Sequence, residues 1–83
     1  MTNETPPGLT DAQVANAIAD LADVEVWLQA RVLHESPEKT AILYVATDAG
    51  GWPLVAAGDR PVRLEAEAPG HANVLSGQRF RVR

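Results

Sequence analysis

Apolar residues change their spacing near Val24. Before it, Val14, Ile18 and Leu21 recur at intervals of three and four, the spacing of a helix that buries one stripe. From it onward, Val24, Val26, Leu28, Ala30 and Val32 alternate with Glu25, Trp27, Gln29 and Arg31. That two-residue rhythm belongs to a strand with one covered face. The competing reading continues the helix through Leu28 and Val32 to about His34. Clean alternation and β-branched residues at the even positions favour the strand.

Local signals place the remaining elements. Thr10 and Gln13 form a T-x-x-Q capping box, with Leu9 and Val14 spaced as a hydrophobic staple and Asp11 in the first turn. The stretch 36–39 (S-P-E-K) predicts a turn. Residues 41–47 (A-I-L-Y-V-A-T) are apolar at nearly every position, which predicts a central strand buried on both faces. The glycine loop 48–51 leads to a strand over 52–57, whose start Pro53 pushes toward an edge. Val62, Leu64 and Ala66 alternate with Arg63, Glu65 and Glu67, and Phe80 and Val82 alternate with Arg79, Arg81 and Arg83. The sum is an α+β fold: one N-terminal helix packed on an antiparallel meander of about five strands. Residues 1–8, polar with two prolines, are expected to be a disordered N-terminal arm, leaving 9–83 as a single small domain.

Size and composition narrow the chemistry. A domain of 83 residues buries only about 60% of the surface its unfolded chain exposes, so its core is marginal. With no cysteine there is no disulfide or thiolate zinc site to help. Tight packing or self-association must supply the difference. No stretch approaches the roughly 20 apolar residues of a membrane span, and the start lacks the basic and apolar regions of a secretory signal. The expected location is the cytoplasm or a virion. Net charge is −4, unevenly spread. Residues 1–38 hold seven acidic residues against Arg31, whereas 39–83 hold six basic against four acidic. The acidic total argues against nucleic acid as a partner. The asymmetry fits a docking polarity or a self-complementary assembly.

Candidate catalytic groups do not converge. His34 and His71 lie on different expected loops, without metal-ligand spacing. Ser36 and Ser76 sit in turn contexts, outside any nucleophile elbow. Glu65 and Glu67 share a wet strand face, where cross-strand pairing with Arg79 and Arg81 is the simpler expectation. The glycines form no phosphate-binding pattern. No cofactor, metal or small-molecule ligand is expected.

Residues 73–82 (N-V-L-S-G-Q-R-F-R-V) resemble the final core strand region of ADP-ribosyltransferases. The resemblance implies a catalytic glutamate at Asn73 and a second acidic group at His71. Neither position is acidic here, so the activity is not carried over. Size and element order are also similar to the small acidic inhibitors of uracil-DNA glycosylase. Mimicry of nucleic acid requires a carboxylate density that this arginine-terminated chain lacks.

What remains is a non-enzymatic protein–protein interaction module, with a protein partner or a homo-oligomer as the expected assembly. Trp27 on the polar strand face, Arg31, Trp52 beside the glycine loop, Arg79 and Arg81 are the candidate contacts, being of the residue types that dominate interfaces. Alanine richness and arginine in place of lysine point to a GC-rich genome. A phage-type or mobile-element accessory protein, such as a capsid-decorating one, is the leading expectation. A soluble inhibitor or immunity-type protein, using an acidic helix end at Asp20 and Asp23, is the alternative.

Overall fold

Helix α1 (Asp11–Ile18) starts where the capping signal places it. The Gln13 amide donates to Thr10 Oγ1 at 3.2 Å, and the Thr10 amide donates to Gln13 Oε1 at 2.8 Å. The computed structural model describes residues 5–21 and 24–83, so Asp23 and the first four residues of the expected arm lie outside the described residues. The helix ends at Ile18, with Ala19 as its C-cap. Arg83 donates to the carbonyls of Ile18 and Leu21 at 3.4 and 3.3 Å, meeting the negative end of the helix with a cation.

Strand β1 (Trp27–Glu35) excludes the long-helix reading. It begins three residues later than its alternation suggests, because Val24 is exposed outside the sheet. A turn at Ser36 joins it to β2 (Lys39–Thr47): the Ser36 amide donates to the Lys39 carbonyl, and the Lys39 amide donates to Ser36 Oγ. The hairpin pairs Trp27 with Thr47 and Val32 with Ile42, with a bulge between Val32 and His34.

The next strands overturn the meander. Pro53 has no N–H to donate and meets the sheet only through a bridge to Thr47. The expected strand 52–57 therefore shrinks to β3 (Val55–Ala56), which makes a separate two-stranded sheet with β4 (Arg60–Pro61). Gly58 and Asp59, both with positive φ, close that small hairpin. Strand β5 (Arg63–Pro69) then pairs antiparallel with the free side of β2, and β6 (Arg79–Arg81) with the free side of β1. The main sheet has four strands in the order β5-β2-β1-β6. Glu65 and Glu67 thus sit on one edge strand and Arg79 and Arg81 on the other. The expected cross-strand pairs between them do not form.

Even-numbered residues face the helix. Val26, Leu28, Ala30, Ile42, Tyr44, Ala46, Ala66, Ala68, Phe80 and Val82 are buried with Val14, Ile18 and Leu21 in one core. Residues 70–78 carry the chain from β5 to β6, pinned by two hydroxyls. Thr40 Oγ1 donates to the Gly70 carbonyl and accepts from the Ala72 amide, and Ser76 Oγ accepts from the Val32 amide. Residues 5–8, placed in the arm by their polarity, belong to this layer instead. Pro6 is fully buried, and Tyr44, also fully buried, donates its hydroxyl to the Pro7 carbonyl at 2.7 Å. Burying a tyrosine requires such a partner for its hydroxyl. Gly8 has φ 83°, and a Cβ there would stand 3.0 Å from that of Ala66. No described helix is long and apolar enough to cross a membrane.

Candidate protein-interaction face

The opposite face of the sheet is built from the odd-numbered residues. Register sets them in level rows across the strands. From β5 through β2 to β1 these run Arg63–Val45–Gln29, Glu65–Leu43–Arg31 and Glu67–Ala41–His34. Down the middle, Ala41, Leu43 and Val45 are only half-buried. The run 41–47 is central, as its apolar composition predicts, but not buried on both faces. With one short helix among the described residues, the chain has a single layer to spend on covering its sheet. Leu33, displaced by the bulge, is 55% exposed and borders a depression of about 320 Å³ with Ala41, Glu65 and Glu67. A second depression of about 250 Å³ lies between Gln29, Arg31, Val45 and Pro53.

One end of this face is closed by the chain itself. The Arg79 guanidinium lies over the Trp27 ring at 4.9 Å and donates to the Ala49 carbonyl at 3.0 Å. Trp27 Nε1 donates to Glu25 at 3.0 Å, and Glu25 also pairs with Arg81 at 3.3 Å. Cation–π contact, hydrogen bond and ion pair tie β6 across β1 to the loop after β2. Asp48 shapes that loop, its Oδ1 accepting from the amides of Gly50 and Trp52. Beneath the cluster, Thr47 is buried, and its Oγ1 has no hydrogen-bond partner among the described residues.

The structure therefore brings Trp27, Arg79 and Arg81 together and spends much of their bonding capacity internally. Arg31 stands on the same face, exposed and without an ion-pair partner among the described residues. Trp52 is 74% exposed at the loop tip beyond Thr47. Asp20 is elsewhere, following the helix on the other side of the sheet, beside a depression it shares with Arg60 and Arg63. Asp23 lies outside the described residues. Sequence reasoning missed Leu43, Val45 and Glu65. Their signal was present in the 41–47 run combined with the shortage of covering elements. His71 Nδ1 lies 3.2 Å from Glu35, and His34 is apart from it, opposite Ala41.

Among the described residues, the one group whose ionisation is strongly moved belongs to the core rather than to this face. Burial pushes the Tyr44 hydroxyl up to about 12 from its ordinary 10. Comparison with protein-family models, curated proteins and solved structures finds no match to this chain.

Proposed function

We propose that this chain is a non-enzymatic protein-binding module that works through the outer face of its four-stranded sheet. The observation that carries the reading is the half-buried apolar strip Ala41, Leu43 and Val45, flanked by the charges of Arg31 and Glu65, which have no ion-pair partner among the described residues. An apolar centre with a polar rim is the anatomy of an interface. Exposed Trp52 at one end supplies an aromatic anchor of the kind that dominates binding energy. The acidic helix end supports the inhibitor alternative less well. Asp20 shares its surroundings with two arginines instead of heading a uniformly acidic face.

Affinity capture with the immobilised full chain tests this reading. A stoichiometric protein, either another species or the chain itself, is expected to be retained. Leu43→Asp should abolish retention, whereas Asp20→Ala should leave it intact. Retention that survives Leu43→Asp places binding on another surface. A chain that retains nothing and stays monomeric at 500 µM, a concentration on the order of weak-complex dissociation constants, overturns the proposal.

A further inference from the structure

The register of the sheet points to a second copy of this chain as an occupant of the outer face, stacked on it about a two-fold axis that runs along β2. This rests on the protein-binding reading and gives that reading a partner. Strands β1 and β5 flank β2 at equal spacings of about 4.8 Å. A two-fold axis parallel to β2 exchanges the two flanks and keeps each row level.

The rows then match. Glu65 of one copy faces Arg31 of the other, and the pair occurs twice. In the row on one side Arg63 faces Gln29, and in the row on the other Glu67 faces His34. In the centre Ala41, Leu43 and Val45 lie on their own counterparts. The alternative two-fold axis, running across the strands, lays β5 on β5 and brings Glu65 against Glu65. Like charges at that distance oppose association, so the charge pattern selects one orientation of the two. The stacked sheets keep their strands nearly aligned, as sandwich layers do. Arg79, laid over Trp27, marks the limit of the contact at one end.

The mating charges are available. Neither Arg31 nor Glu65 has an ion-pair partner among the described residues, and both are exposed. Three rows across three strands are fewer residues than the roughly 20–30 a side of a standard interface, so the expected dissociation constant is on the order of 10–100 µM. Dimerisation also offers the marginal core the added stability that a chain of this size needs.

Sedimentation equilibrium of the full chain from 5 to 500 µM, a range spanning that estimate, reads the association. The wild type is expected to dimerise reversibly. Arg31→Glu and Glu65→Arg should each weaken the dimer at least about tenfold, since each turns two attractive contacts into repulsive ones. An equimolar mixture of the two variants should associate again, because each then meets its opposite charge in both pairs. Both positions are exposed, and thermal melts of the separate variants check that each is folded. A wild-type monomer at 500 µM overturns the inference, as does a dimer indifferent to both reversals or a mixture that fails to recover. If the wild type is monomeric yet captures another protein through Leu43, the two-fold dimer fails and the protein-binding reading stands.

Discussion

The two faces of the central strand have nearly the same composition and opposite fates. On the inner face Thr40, Ile42, Tyr44 and Ala46 are sealed by α1, by residues 5–8 and by Phe80. On the outer face Ala41, Leu43 and Val45 meet nothing comparable among the described residues and remain half-buried. Polar groups follow the same division. Thr40 and Tyr44 each find a backbone carbonyl at 2.7–2.8 Å, whereas Thr47 Oγ1, on the outer face, finds no partner among the described residues. The difference teaches that a run of apolar residues reports a demand for burial. Whether the chain itself meets that demand depends on how many layers it can build.

Substitutions at neighbouring positions of β2 sharpen the contrast. Tyr44→Ala should cost about 4 kcal/mol of folding stability, since it removes a fully buried ring and its edge contact with Phe80, 6.1 Å between centroids. Urea unfolding measures it, and a cost below about 1 kcal/mol would mean that the inner face is not the sealed one.

Alkaline titration is the next largest effect. The unfolded chain releases the tyrosine proton near pH 10, whereas the folded chain holds it to about 12. Across that window the unfolded state binds fewer protons, so stability falls as pH rises. The loss from this group reaches about 2 kcal/mol by pH 12, and well below pH 10 it contributes no pH dependence. Tyr44→Phe should flatten that part of the stability curve. An unchanged slope would assign the alkaline loss to other groups.

On the outer face the signs and sizes change. Thr47→Val removes a buried hydroxyl that lacks a partner among the described residues, so stability should rise by about 1 kcal/mol, read as a higher melting temperature. A drop of that size would show that the hydroxyl is satisfied in solution. Leu43→Ala, one position from Tyr44, should cost the isolated chain less than about 1 kcal/mol while removing self-association. A loss comparable to that of Tyr44→Ala would erase the distinction between the faces.

Much of the local structure was legible in the residues themselves. The capping box placed the start of α1, the alternation 24–32 set which β1 side chains turn inward, and Ser36-Pro37 marked the hairpin. Each of these signals acts over a few residues, through hydrogen bonds or side-chain parity that need no distant partner. The ends and partners of strands were less legible. Pro53 flagged weak pairing without saying that the strand would shrink to Val55–Ala56 in a separate sheet. The alternation of Arg79, Phe80 and Arg81 announced a strand, but the neighbour expected for it, the strand of Glu65 and Glu67, lies at the opposite edge of the sheet. The candidate site divides in the same way. Trp27, Arg31, Arg79 and Arg81 were correctly given to strand positions of the polar face, while the apolar strip between the charges was assigned to the interior.

The chain by itself determined periods, caps and turns, because these depend on contacts within one or two turns of backbone. Only the folded molecule decided that β5 and β6 lie at opposite edges, that Arg79 reaches Trp27 rather than a glutamate, and that one face of β2 stays open. Those outcomes follow from competition among strand edges far apart in sequence, each with the same backbone hydrogen bonds to offer. They follow too from the limited number of elements an 83-residue chain has with which to cover a sheet.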